Sequence, residues 1–110
     1  MTDDVELSRA LTAAVRATPG VAGVYPAQPV LEAAATVLAA KLALRQPDVL
    51  VDIDRTDGFT SVSVQIATHA AEAAPDTVRR VGETVRDLCV EHGEDAAALT
   101  VAVTVRLVEG

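Results

Sequence analysis

The feature that most restricts the fold is a pair of alternating segments on either side of Asp57-Gly58. An Asp-Gly pair between two runs of period two is typical of a β-hairpin turn. One face of each run is apolar and the other is polar, so the sequence predicts a sheet with one face in water. The apolar positions are Val49, Val51 and Ile53 before the turn, and Val62, Val64 and Ile66 after it.

Two further segments have the periodicity of amphipathic helices. The first covers residues 4–18 and ends before Pro19, because proline disfavours helical geometry in the residue that precedes it. The second covers residues 75–92, with Pro75 in its first turn and His92-Gly93 as a C-terminal stop. Its expected buried stripe is Val78, Val81, Val85 and Leu88, and its expected ion pairs are Asp76–Arg80 and Glu83–Arg86.

The remaining segments complete a single domain over residues 1–110. Residues 21–25 suit either a short strand or an irregular connection, residues 30–46 predict an apolar helix, and residues 98–108 predict a closing strand. The order α-(β)-α-β-β-α-β is typical of an α+β fold, a two-layer sandwich with helices on one face of a small, mainly antiparallel sheet. The segment from Ile66 to Leu99 is a crossover if its two strands lie parallel.

The predicted helix over residues 30–46 is apolar around much of its circumference. Such a helix is either buried in its own domain or in contact with another subunit. We therefore expect a homo-oligomer that uses this segment, a sheet edge, or both. The interaction candidates in this segment are Val30, Leu31, Val37, Leu38 and Leu42.

The composition limits the kinds of partner. A net charge of −7 repels nucleic-acid phosphates and anionic headgroups, so we expect no nucleic-acid partner. No apolar run reaches the ~20 residues that cross a bilayer, so no direct membrane insertion is expected. The lone Cys89 favours a reducing compartment, and the acidic Met1-Thr2-Asp3-Asp4 is unlike a secretory signal, so we expect a cytoplasmic location.

No group of residues has the pattern of a catalytic, cofactor or metal site. Asp52, Asp54 and Asp57 do not fit the calcium-loop spacing, so we interpret them as a solvated strand face and a turn acid. Cys89 and His92 supply too few ligands for zinc. No serine stands in a nucleophile-elbow context, and no glycine-rich phosphate loop occurs. We therefore predict that the protein is not an enzyme and holds no cofactor.

Three stretches of the chain carry a likeness to a known family. Residues 17–24, Ala-Thr-Pro-Gly-Val-Ala-Gly-Val, fit an x-x-Pro-Gly-Val-x-x-Val pattern after the first helix. The second stretch is the hairpin region, residues 49–66. The third is the closing helix and strand, represented by residues 74–81 and 101–106. Together they resemble the alkaline shock protein family of bacteria, which is also described as the envelope stress response proteins.

The resemblance implies a non-enzymatic bacterial cytoplasmic protein that a separate membrane-anchored partner holds near the membrane. It offers no catalytic residues. On this interpretation the protein serves the envelope stress response or envelope homeostasis through self-association and through that partner. The alternative hypothesis is a regulatory binding module that controls a soluble enzyme, with lipid metabolism as one setting that the resemblance suggests.

Overall fold

The computed structural model describes residues 4–27 and 48–109, which form an α+β fold with helices packed on a four-stranded sheet. The predicted fold class is confirmed, and residues 21–25 form a strand. The helices are α1 (Asp4–Arg16) and α2 (Ala74–Glu91), with a 3₁₀ turn at Ala96–Ala98. The strands are β1 (Val21–Tyr25), β2 (Asp52–Thr56), β3 (Phe59–His69) and β4 (Leu99–Glu109).

The predicted hairpin is confirmed as the pair β2–β3. Thr56 pairs with Phe59, so the connection contains two residues, Asp57 and Gly58. Both have positive φ, 53° and 81° respectively. Two positive φ angles define the turn whose twist matches that of paired strands, and Asp-Gly adopts it readily.

The first strand of the hairpin begins later than the alternation predicts, at Asp52 instead of near Asp48. Leu50 and Val51 are buried, but their backbone groups bond elsewhere. Both of their N–H groups donate to Thr12 Oγ1, at 3.0 and 3.3 Å. The Val51 carbonyl accepts from Ser8 Oγ at 2.6 Å, so α1 binds this segment through side chains instead of a strand ladder.

Strand β3 is the centre of the sheet. Strand β4 pairs with it in parallel from Leu99 to Glu109, while β2 and β1 pair with it antiparallel. A strand has two edges and β4 follows one of them, so β2 and β1 lie one after the other along the second edge. The connection through α2 is therefore a β-α-β crossover, and the sheet is mainly antiparallel.

Both helices pack on the same face of the sheet. That inner face carries every second residue of β3, and these positions are fully buried together with the facing stripes of α1 and α2. The outer face carries the intervening polar residues, among them Ser61 and Ser63. The core consists of Leu7, Leu11, Val15, Val51, Val62, Val64, Ile66, Val81, Val85, Cys89 and Leu99.

Helix α2 differs in detail from its prediction. Thr77 and Cys89 are fully buried beside Val81 and Val85, whereas the predicted stripe residues Val78 and Leu88 are half-buried. The predicted ion pairs are also wrong. Asp76 pairs with Arg79 at 3.5 Å, and Arg80 with Glu72 at 3.7 Å. Arg86 donates to the carbonyls of Ala96 and Leu99 instead of meeting Glu83.

The predicted apolar helix over residues 30–46 lies outside the described residues, and so do all of its interaction candidates. The two ends that flank it are close together, since Ala27 N donates to the Leu50 carbonyl at 3.0 Å. The chain therefore leaves and re-enters the described domain at one place.

Candidate functional site

A groove of about 640 Å³ opens at the hairpin end of the sheet. Three elements form it, because the start of α1, the β2–β3 turn and the loop after α2 meet there. We call it the Arg55 groove. Its lining residues are Asp4, Arg55, Gly58, Thr60, His92, Gly93, Glu94, Asp95 and Ala98.

Arg55 is the central side chain of this groove. It lies opposite Thr60 in the β2–β3 register, on the same side of the strand as Ile53, so it faces the helices and not the outer surface. Its Nη1 donates to Glu94 Oε1 at 2.7 Å and to Thr60 Oγ1 at 3.1 Å. Its Nη2 donates to Asp4 Oδ1 at 2.9 Å and to Glu94 Oε2 at 3.0 Å, and its Nε to Asp4 at 3.1 Å.

This set of contacts, which we call the Arg55 cluster, uses the whole guanidinium. A guanidinium has five N–H donors, and Asp4, Thr60 and Glu94 accept all five of them. Two carboxylates also more than offset its single positive charge. Arg55 therefore has no donor left for a phosphate or carboxylate ligand, and the cluster instead joins α1, the hairpin and the loop after α2.

Arg55 also affects the protonation of Glu94, one of the two acids in the cluster. The hydrogen bond from Arg55 lowers the pKa of Glu94, and the positive charge of Arg55 and the Thr60 hydroxyl act in the same direction. The pKa of Arg55 is raised in turn, mainly by its bonds to Glu94 and Asp4. Glu94 is thus ionised at neutral pH, which is unlike a general acid that works there.

Cys89 and His92, which supply too few ligands for zinc, lie in different environments. Cys89 is fully buried in the core, and burial raises the pKa of its thiol. His92 turns back along its helix, with Nδ1 3.2 Å from the Leu88 carbonyl. Within residues 4–27 and 48–109, no group of three or more His, Cys, Asp or Glu side chains is placed to hold a metal ion.

The acids of the hairpin lie on the outer face of the sheet. Asp52 and Asp54 stand opposite Ser63 and Ser61 on β3, and the Thr56 hydroxyl donates to Asp54 at 3.3 Å. Partial burial raises the pKa of Asp52, and the neighbouring charge of Asp54 adds to that effect. Ser61 and Ser63 lie on this outer face, whereas His92 lines the Arg55 groove with Thr60, whose side chain points to the helix side.

The Pro-Gly segment has a structural explanation. Gly20 has a φ of 95°, and a Cβ at this position would collide with the Thr77 side chain of α2. Arg80 Nη1 donates to the Pro19 carbonyl at 2.9 Å and fixes the same turn to α2. The turn between α1 and β1 therefore needs glycine both for its backbone angle and for its close approach to α2.

Sequence reasoning did not identify the Arg55 cluster. One signal was available, since Arg55 continues the inward phase of Val51 and Ile53 and so places a charge on the apolar face of its strand. An inward arginine needs carboxylate partners. Nothing local indicates which ones, because Asp4 and Glu94 lie 51 and 39 residues away along the chain.

None of the helices in the described ranges is both long and apolar enough to cross a membrane. Comparisons of the chain with protein-family models, with curated proteins and with solved structures found no match.

Proposed function

We propose that this chain is a non-enzymatic interaction protein that acts by self-association and by binding a protein partner. The observation that carries the proposal is the state of Arg55. The largest polar side chain in the groove spends all five of its donors on the protein's own Asp4, Thr60 and Glu94. These hydrogen bonds stabilise the fold. We therefore assign the protein's function to its surface and not to a reaction in the groove.

Apolar surface supports the same proposal. Leu107 and Val108 near the end of β4 are 47% and 52% exposed, and Phe59 beside the hairpin turn is 59% exposed. The sequence adds the apolar segment over residues 30–46, with Val30, Leu31, Val37, Leu38 and Leu42 as interaction candidates. Contiguous exposed apolar side chains are typical of surfaces that bind other proteins.

The setting of this function rests on the resemblance to the alkaline shock protein family. On that basis we propose a cytoplasmic protein that serves envelope homeostasis and meets a membrane-anchored partner. The Pro19-Gly20 turn supports the resemblance, because the shared Pro-Gly-Val pattern coincides with a turn that demands glycine.

Sedimentation of the pure protein tests self-association. We expect a mass above the 11.4 kDa of one chain at high micromolar concentration. Leu38→Asp should reduce the assembly or the solubility, and Asp54→Ala, a change on the solvated outer face, should leave both nearly unchanged. A monomer at every concentration would overturn self-association, and equal, negligible effects of the two variants would remove the role of residues 30–46.

Capture of partners by the tagged protein in native cells tests the second half of the proposal. A stoichiometric small membrane protein is the expected result. Stoichiometric capture of one soluble enzyme would instead support the regulatory module, which the size of the Arg55 groove favours as a second candidate.

A further inference from the structure

Strand β4 lies at an edge of the sheet within the described part of the chain. Strand β3 occupies one side of it, and none of the strands in residues 4–27 and 48–109 pairs with its other side. We call that other side the β4 edge. Alternate residues of Leu99–Glu109 direct their backbone N–H and C=O groups to this side, where a further strand is able to pair with them.

The β4 edge lacks the features that protect most edge strands. Charged side chains, prolines and central bulges normally discourage pairing with another chain. From Leu99 to Val105 the strand has no charged residue and no proline, and its register shift against β3 comes only after Val105. This stretch is therefore a long, regular and uncharged edge.

The first charge on the strand, Arg106, does not protect the edge. Its guanidinium carbon lies 5.3 Å from the centre of the Tyr25 ring. Tyr25 belongs to β1, which pairs with the opposite side of β3. Arg106 thus extends across β3, away from the β4 edge, and leaves the edge open to approach.

The two faces of β4 alternate like those of an interior strand. Val101, Val103 and Val105 point to the helix side, where they contact the core but remain half-buried. Ala102 and Thr104 point to the outer face and are exposed. Because these valines are incompletely covered, a further strand with the same alternation, paired with the β4 edge, would add its own inward side chains to the core.

Helix α2 leaves space above this edge. Thr84 on one side of α2 lies in a groove against α1. Successive helix residues turn by about 100°, so Val78 and Gly82 lie on the other side, towards β4, where Arg86 reaches the Leu99 carbonyl. A Cβ at Gly82 would meet no atom within 4 Å, so the helix surface is open at that point.

We propose that the β4 edge binds the β4 edge of a second copy of this chain, antiparallel and about a two-fold axis, so that one sheet continues through both copies. The inference rests on the proposed function, since it assigns the surface through which self-association occurs. In this arrangement the two α2 helices come side by side over the joined strands, at Val78 and Gly82.

A second copy fits this edge because it supplies two layers at once. It brings a strand with the same inward valines and, above that strand, a helix to cover them. A two-fold axis perpendicular to the sheet keeps both apolar faces on one side, and identical patches then match each other. Since each chain carries a net charge of −7, an uncharged edge is also where two copies repel each other least.

The antiparallel orientation follows from the same residues. A parallel pair of two β4 strands would set Arg106 beside Arg106 and turn the valine row of one copy against the polar row of the other. An antiparallel pair centred near Val103 sets Arg106 opposite residues such as Thr100 and Ala102. Like charges directly opposite destabilise a sheet, so the antiparallel pair is the stable one.

A matched pair of lysine variants tests the proposal by sedimentation. Thr104→Lys puts two like charges near the proposed axis, and we expect the dissociation constant of the dimer to rise about tenfold or more. Thr56→Lys makes the same change on exposed β2 and should leave the constant unchanged. Circular dichroism of both variants checks that each remains folded.

Cross-linking gives a second measurement that does not depend on disruption. Ala102→Cys on β4 should join two copies through a short bismaleimide, whereas Ser61→Cys on the outer face of β3 should not. The native Cys89 is fully buried and gives little background. A cross-link at residue 102 alone, with a dimer sensitive only to Thr104→Lys, supports the proposal.

Failure of the β4-edge interface and failure of self-association give different results. If the wild-type protein self-associates while Thr104→Lys has no effect and residue 102 does not cross-link, the β4 edge is not the interface, and self-association stands. If the wild-type protein is a monomer at high micromolar concentration, both proposals fail. In that monomer, protection from hydrogen exchange of the β4 amides that point away from β3 would show that another segment of the same chain occupies the edge.

Discussion

The two edges of the sheet are built in opposite ways. On one side of β3, the two short strands β2 and β1 pair with successive parts of its length. Strand β2 carries carboxylates on its outer face and Arg55, the centre of the Arg55 cluster, on its inner face. On the other side, β4 covers nearly the whole of β3 with a strand that has no charge from Leu99 to Val105. One edge is short, charged and interrupted, and the other is long, neutral and regular.

The comparison teaches how charge placement decides which surface of a small domain is open to association. The β2 side carries the features by which natural sheets avoid unwanted pairing. The β4 side has none of them up to Val105. Although the chain has a net charge of −7, no charged side chain between Leu99 and Val105 opposes pairing at the β4 edge.

The largest effect on stability should come from replacing Arg55, the central residue of the Arg55 cluster. Arg55→Met leaves the carboxylate of Glu94, 15% exposed, and that of Asp4 without their partner. The loss should be about 1–2 kcal/mol of unfolding free energy, a figure reduced for solvent screening because the Arg55 side chain is 40% exposed. Urea denaturation measures it.

Arg9→Met is the matched control for that experiment. Among residues 4–27 and 48–109, Arg9 has one partner, Asp48, at 2.6 Å, and both side chains are about half exposed, at 49% and 48%. We expect little change in stability, because an exposed pair of this kind contributes little. If the two variants lost equal stability, the Arg55 cluster would be no more than another surface ion pair.

The pH dependence of stability should separate wild type from Arg55→Met. The pKa of Glu94 is lowered in the folded state, so its contribution is complete above the unfolded-chain value of about 4.3 and is lost as the pH falls through the folded pKa. Asp52 acts in the opposite direction, because its raised pKa favours the folded state at low pH. Both proteins keep Asp52, so the difference between their pH profiles reports on Glu94.

The unfolding free energy of the two proteins should therefore converge below about pH 4 and differ most near neutral pH. Thermal or urea unfolding from pH 3 to pH 7 provides the comparison. A difference that stays constant over this range would show that Arg55 stabilises the protein through packing and not through its carboxylate partners.

The hairpin turn should show a smaller effect. Gly58→Ala places a Cβ at a φ of 81°, which strains the turn between β2 and β3. The unfolding free energy of the protein should therefore fall by about 1 kcal/mol. There is no collision to add to this cost, since a Cβ there meets no atom within 4 Å. An unchanged urea midpoint would contradict the backbone account of the turn.

The smallest effect, and the one that best sharpens the comparison, is expected from Gly82→Ala. Alanine in a helix interior should stabilise α2 by up to about 1 kcal/mol over glycine, since its Cβ meets no atom of the described residues within 4 Å. In the proposed dimer the same Cβ faces the partner's α2. The variant should thus unfold at higher urea and yet associate more weakly, and stronger association would argue against close helix approach at this position.

Local patterns predict the local parts of this fold. The hairpin is predictable because Asp57 and Gly58 are residues that tolerate positive φ, and the inward row of β3 because Val62, Val64 and Ile66 alternate with polar residues. The class of fold follows from the order of such elements. The parallel pairing of β3 with β4 stays open at that level, since it depends on contacts across the whole crossover.

Long-range polar contacts are what the sequence conceals. Alternation continues through Val49 and Val51, yet the strand starts later because hydroxyls of Ser8 and Thr12 bond the backbone there. The same limit hides the Arg55 cluster, whose acids come from opposite ends of the chain. In both places a side chain distant in sequence forms the hydrogen bonds of a polar group whose partner the local pattern does not indicate.

Hydrogen exchange of the backbone amides at two protein concentrations tests the central claim most directly, because it compares both edges in one sample. At high micromolar concentration, the amides of residues 99–105 that point away from β3 should become more protected than at low micromolar concentration, while those of residues 52–56 should not change. Equal exchange of the β4 amides at both concentrations, in a sample that sedimentation shows to be associated, would contradict the account.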